Sequence, residues 1–262
     1  MRIPSFVVSV LLLALVGAAC SAPGSSSAPA LTLFVAASLA NAVDAAATAY
    51  HDTHDGIVIT TSTGSSTALR TQIEQGAPAD VFLSADTANP QVLADEGLTS
   101  APPVVFAGNA LAIVVPAGNR AGVSSAADLG RPGLRVVAAG EKVPISGYAA
   151  TLLQNLARLP AYPPDLPAMY SSNVVSREDD VRAVLAKVEL GEGDAAIVYA
   201  TDARASAKIR LIAVPEAAQV RVNYSAVVLA RAAGRAAATD FITWLAGAGG
   251  QATLSRFGFL AP

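Results

Sequence analysis

The side chains whose type and spacing could do chemistry are small hydroxyls at the starts of helices. One arrangement recurs along the 262-residue chain: a strand ends, one or two small hydroxyl residues follow, and a helix begins. It occurs at Ala37-Ser38, at Gly64-Ser65-Ser66-Thr67 and at Pro144-Ile145-Ser146-Gly147. The first amides of a helix have no partner within it. They carry partial positive charge, worth about 0.3–1 kcal/mol to a nearby anion and roughly 2 when partly buried. Several such starts converging on one cleft would hold a dianion with neutral donors alone. In an open α/β sheet that cleft lies at the carboxyl ends of the strands, where these turns fall. Serine is also a preferred N-cap that binds nothing, so no single serine defines a site. Tyr199 closes another apolar run and could add its hydroxyl.

Other candidates read as structural. Gly191-Glu192-Gly193-Asp194-Ala195-Ala196 matches a dinucleotide pattern, but it follows a helix and precedes a strand, the wrong order, and reads as a helix-ending turn. His51 and His54, beside Asp52 and Asp55, read as a solvated helix end, and Arg177 and Arg182 as a solvated face. With two histidines and one cysteine, neither a His/Cys metal centre nor an intramolecular disulfide is expected. No G-x-S-x-G surrounds a serine and no P-loop is present, so the chain does not read as an enzyme.

The elements that must position these hydroxyls alternate. Periodicity predicts strands at Leu31 to Ala36, Ile57 to Thr61, Asp80 to Ser84, Ala110 to Val115, Leu134 to Ala138, Ala195 to Tyr199, Ile209 to Val214 and Ala226 to Ala230. Helices are predicted at Leu39 to Tyr50, from Ser65-Ser66 to Gln75, around Gln91 to Glu96, at Ser146 to Leu159 and at Glu178 to Leu190, with two more at the C-terminus. Asp128 to Gly133 reads as a turn and Pro160 to Pro167 as a Pro-rich loop. Alternation of this kind means an α/β fold with largely parallel sheet. There are too many units for one small sheet, so two lobes are expected.

The formal net charge of −3 leaves no basic face for nucleic acid. At the N-terminus, Arg2 precedes an apolar run from Phe6 to Val16 broken only by Ser9. That run is shorter than the roughly 20 residues of a membrane span and reads as a signal peptide over residues 1–20. Gly17-Ala18-Ala19-Cys20 resembles a bacterial lipobox, although Gly17 stands where that pattern has Leu. The resemblance implies lipidation at Cys20 and an exported, membrane-anchored protein facing the periplasm or outer cell surface. Residues 21–30, rich in Ser, Ala, Pro and Gly, read as a flexible tether.

An ordered set of segments is similar to the molybdate-binding proteins of ABC importers. It begins with Leu33 to Ala42, then Ser65-Ser66-Thr67, Gln72 to Phe82 and Ser84-Ala85-Asp86. Val143-Pro144, Gly147-Tyr148-Ala149, Glu178 to Arg182, Ile197-Val198-Tyr199 with Asp202-Ala203, and Phe257-Gly258-Phe259 continue it in order. The resemblance implies a type II periplasmic-binding-protein fold, two α/β lobes joined by crossing strands with the ligand in the cleft. Residues 31–109 and 225–262 would form one lobe and 110–224 the other. It implies a monomer with no cofactor that captures molybdate or tungstate, so that molybdenum enters only as an oxyanion. An ABC permease and its ATPase are the implied partners. Carried over by motif, the ligand set is the hydroxyl and amide of Ser38, the hydroxyl and amide of Ser66, the amides of Ile145 and Val181, and the Tyr199 hydroxyl. The family has Gly two residues after the proline of its Val-Pro motif, where this chain has Ser146. The Ser146 hydroxyl is therefore an alternative to the Ile145 amide. The rival readings are a binding protein for sulfate, phosphate or ferric iron, a secreted serine hydrolase using Ser38 or Ser66, and a surface adhesion or sensory module.

Overall fold

The computed structural model describes residues 30–262. The expected signal peptide, Cys20 and all of the tether except Ala30 lie outside them. Ala30 itself already pairs in the first strand. The first half of the chain runs β1 (Ala30–Ala36), α1 (Ala40–His51), β2 (Val58–Gly64), α2 (Ser66–Glu74), β3 (Val81–Ser84), α3 (Ala88–Asp95), β4 (Val104–Asn109), β5 (Leu111–Pro116) and β6 (Val136–Ala139). Then follow α4 (Pro144–Ala157), α5 (Leu166–Ser172), β7 (Val174–Glu178), α6 (Val181–Glu189), β8 (Ala196–Tyr199) and α7 (Ala200–Arg204). The chain closes with β9 (Ile209–Ile212), β10 (Val222–Val228), α8 (Arg235–Ala246) and α9 (Ala248–Arg256).

Two sheets share one plan. The first has the order β2-β1-β3-β10-β4, with β1 parallel to both neighbours and β10 antiparallel to both of its own. In the second, β5 lies antiparallel between β8 and β9, and β6 pairs parallel with β7. A parallel bridge between Val136 and Ala195 joins these pieces, so the order β7-β6-β8-β5-β9 repeats the first. In each sheet the antiparallel strand arrives from the other lobe. β5 follows β4 across the single residue Ala110, and β10 returns after β9. The strands therefore cross where the lobes meet, as the family resemblance implied, and these crossing strands make half of the strand pairings antiparallel, against the largely parallel sheet expected from the alternation.

Side chains alternate between the two faces of a strand. In β1, Leu31, Leu33 and Val35 enter the main core with Val43 of α1 and Phe241 of α8. Phe34 points the other way, into a smaller cluster with Leu69, Ile73 and Leu93 of α2 and α3. With both faces covered, these strands read as continuous apolar runs. The buried carboxylate of Asp80 ties the ends of this sheet together. It accepts the amides of Thr32 at 2.8 Å, Ala233 at 2.8 Å and Gly234 at 3.3 Å.

Four expectations need correcting. The strand β4 (Val104–Asn109) was not expected: its apolar run is only Val104 to Ala107, and Gly108-Asn109, which look like a turn, are its last two residues. Glu178 is the last residue of β7, and the helix expected from it starts at Val181 behind the Asp180 cap. The last two residues of the Pro-rich loop, Leu166 and Pro167, already belong to α5, which tolerates Pro167 because the proline falls in its first turn. The last strand is Val222–Val228, earlier than the apolar run at Ala226 to Ala230 implied.

Candidate functional site

The helix starts singled out by their hydroxyls meet between the lobes. A narrow cavity of about 10 Å³ has Ser38, Ser65 and Ser66 of the first lobe on one side, and Pro144, Val181 and Tyr199 of the second on the other. Among the described residues, none lining it is a lysine or arginine, and Asp180 is its only carboxylate.

Each donor is left unspent for a local reason. Ser66 opens α2 behind the N-cap Ser65, whose hydroxyl accepts from Ala68 at 3.4 Å. The Ser66 hydroxyl oxygen, 1 % exposed, accepts the Ala85 amide at 3.0 Å, so its own proton remains to be given. At α6 the Asp180 carboxylate caps the amides of Arg182 at 2.8 Å and Ala183 at 3.0 Å, passing over Val181. Val181 is the first helical residue, with no intrahelical acceptor. At α4 the first residue is Pro144, which has no N–H, so Ile145 carries the first amide. Ser38 lies in a short 3-10 turn, Ala37–Leu39, leading into α1, and its hydroxyl is 3.0 Å from that of Tyr224.

Tyr199 ends β8, 2 % exposed, and its hydroxyl is buried without a hydrogen-bond partner among the described residues. Burial, reinforced by Tyr224, Tyr148, Asp202 and Asp86, holds its pKa well above the ordinary 10.0. It stays a phenol, able to donate. A buried hydroxyl with no partner costs about 1–3 kcal/mol, a cost that an anion in the cavity would remove.

The structure brings Ser38, Ser66, Val181 and Tyr199 to one cavity. Ile145 reaches it only through its neighbours Val143 and Pro144, while its side chain lines a separate cavity behind α4. The alternative Ser146 hydroxyl faces the wrong way, 3.0 Å from the Ala139 carbonyl and 2.9 Å from that of Gly140. Gly147 has open space around it, so nothing there needs a glycine. His51 and His54 belong to the far end of α1, about 18 Å along a 12-residue helix. His54 stacks on Tyr50 at 3.9 Å. No group of three or more metal-ligating side chains occurs among the described residues.

Sequence reasoning missed four participants. Asn109 and Tyr224 stand behind Ser38, with Asn109 Nδ2 3.2 Å from the Tyr224 hydroxyl. Arg182, read as a solvated face, donates to Asn41 across the lobes at 2.7 Å. Asp202 was noticed only within a motif. Burial pushes its carboxyl up to about 8, against the pull of Arg182 and with Asp180 adding to the rise. No local pattern marks these residues, because each acts through a partner tens of residues away.

The chain matches the family model of bacterial extracellular solute-binding proteins over residues 31–260. It is 36% identical to the molybdate-binding protein ModA of Mycobacterium tuberculosis over 264 residues, covering 98% of this chain and 97% of that one. Among solved structures, the periplasmic molybdate-binding protein of Azotobacter vinelandii superposes with a TM-score of 0.73 at 22% identity, covering 88% of this chain and 99% of that one. The sulfate-binding protein SubI of Mycobacterium tuberculosis gives 0.76 at 22%, covering 88% and 86%. These two structural matches establish the two-lobed fold and do not choose a ligand.

Proposed function

This chain belongs to the bacterial extracellular solute-binding proteins, and from that premise we propose that it captures molybdate, and tungstate with it, for import by an ABC permease and its ATPase. The observation that carries the proposal is the buried, partnerless Tyr199 hydroxyl in the cavity where the unspent donors of Ser38, Ser66 and Val181 meet. The near-full-length identity to a molybdate-binding protein supports the choice of ion. The lobes close about the crossing strands and surround a tetrahedral dianion with O–H and N–H groups. The Ser38 and Ser66 hydroxyls and amides, the amides of Val181 and Ile145, and the Tyr199 hydroxyl are the donors. Sulfate is rejected by size, since charge and shape class are the same for both ions.

The protein acts by binding, without catalysis. A serine hydrolase would need a base beside Ser38 or Ser66, and both histidines sit at the opposite end of α1. Ferric iron would call for phenolates, and burial disfavours them at both Tyr199 and Tyr224. At the N-terminus, Cys20 carries a lipid that holds the protein at the cell membrane. Isothermal calorimetry with molybdate, tungstate and sulfate tests the assignment. Tight binding of the first two and weak binding of sulfate is the expected result. Sulfate binding as tightly as molybdate would overturn it.

A further inference from the structure

We infer that Asn109 and Tyr224 are positioning residues that aim the Ser38 hydroxyl proton into the cleft, so that this corner of the site presents a hydrogen-bond donor to the bound oxyanion. The inference rests on the oxyanion reading above and deepens it.

Hydrogen positions follow here from counting donors and acceptors. Asn109, the last residue of β4, is 1 % exposed. Its Oδ1 accepts the Ala110 amide at 2.9 Å, which fixes the orientation of the side-chain amide. The two Nδ2 protons then point away from that oxygen, one to Thr201 Oγ1 at 2.9 Å and one to the Tyr224 hydroxyl at 3.2 Å. Tyr224, on β10, is fully buried. Its oxygen accepts from Asn109, and its one proton has a single remaining partner, Ser38 Oγ at 3.0 Å. Ser38 therefore accepts from Tyr224 and keeps its own proton for the cavity it lines. The reverse order, with Ser38 donating to Tyr224, would strand the Tyr224 proton in a buried place without an acceptor, a cost the first order avoids. It would also turn a serine lone pair toward the incoming anion.

The relay reproduces at Ser38 what the Ala85 amide does at Ser66, where the hydroxyl oxygen is likewise filled from behind. It also ties the site to both crossing strands. The Tyr224 ring is held edge-on by Phe259 at 5.3 Å and by Phe106 at 6.5 Å, so Tyr224→Phe removes the hydroxyl and leaves the packing.

The test is a double-mutant cycle read by calorimetry with molybdate, using wild type, Tyr224→Phe, Ser38→Ala and the double variant. Tyr224→Phe is expected to weaken binding about tenfold, the scale of one hydrogen bond to a charged group. On the Ser38→Ala background the same change should alter affinity by less than about twofold, because coupled residues are not additive. Asn109→Asp replaces a donor to Tyr224 by an acceptor and should reverse the relay. Its loss of affinity should also shrink on the Ser38→Ala background, whereas an effect of its charge alone would persist there. Additive losses in both cycles, or wild-type affinity in Tyr224→Phe, overturn the relay while leaving the oxyanion reading standing. A wild-type protein that binds none of molybdate, tungstate or sulfate overturns both.

Discussion

Tyr199 shows how one side chain trades stability for binding. Its ring belongs to the core and its hydroxyl lies buried with nothing to bond. Tyr199→Phe should therefore stabilise the ligand-free protein by about 1 kcal/mol, a rise in Tm of roughly 2–4 °C for a chain of this size. The same change removes a hydrogen bond to a charged ligand, worth about 1.5–3 kcal/mol. Molybdate affinity should fall about 10–100-fold. Thermal unfolding and calorimetry on one preparation measure both effects, and an unchanged affinity would exclude Tyr199 from the site. At this scale the sequence was informative about type. A hydroxyl at the end of an apolar strand could be seen in the chain, but whether its oxygen had a partner could not. Ser146 makes the same point in reverse. By spacing it was as good a candidate as Ser66, and only its contacts with the Ala139 and Gly140 carbonyls removed it.

Among the elements, the start of α6 is the most informative. Asp180 is both the cap of the helix and the one carboxylate against the cavity. Asp180→Ala should cost about 1 kcal/mol of stability through loss of the cap. Asp180→Asn keeps a capping oxygen and removes a negative charge beside a dianion. It should tighten molybdate binding, with the gain shrinking as salt is added. Urea unfolding of both variants and calorimetry at two ionic strengths separate the two roles. Weaker binding in Asp180→Asn at low salt would contradict them. Helix starts were legible because capping is local chemistry, confined to three or four residues. The strands β4 and β7 were not, since they are short and their identity comes from the neighbours they pair with, β10 and β6.

The whole molecule is held closed from both sides of the cleft. Arg182 reaches Asn41 at 2.7 Å, and the Thr67 hydroxyl donates to the Lys142 carbonyl at 2.6 Å. Beside the first of these contacts, lining the same pocket as Asn41 and Arg182, lies Asp202, buried with one carboxyl oxygen unpartnered among the described residues. Its pKa of about 8 in the fold, against about 3.9 in an unfolded chain, has a definite sign. Between those values the folded protein holds a proton that the unfolded chain has lost. Stability therefore falls as pH rises from about 4 to 8 and levels off above. Asp202→Asn removes that dependence. The variant should match wild type near pH 4 and exceed it by more than about 1 kcal/mol at pH 8, as chemical denaturation at both values would read. An equal effect at the two pH values would mean that Asp202 does not titrate in this window.

The chain's alternation of apolar runs and capped helices was enough to determine an α/β protein of two lobes, and the types of residue available to a neutral anion site. Those properties are periodic or local, and a linear pattern records them. Tertiary structure alone decided which hydroxyls are filled from behind and which remain to be given. The Tyr224–Ser38 bond spans 186 positions, the Asn109–Tyr224 bond 115 and the Arg182–Asn41 bond 141. Hydrogen-bond direction depends on the full set of partners around each group, and crossing strands assemble that set from distant parts of the chain.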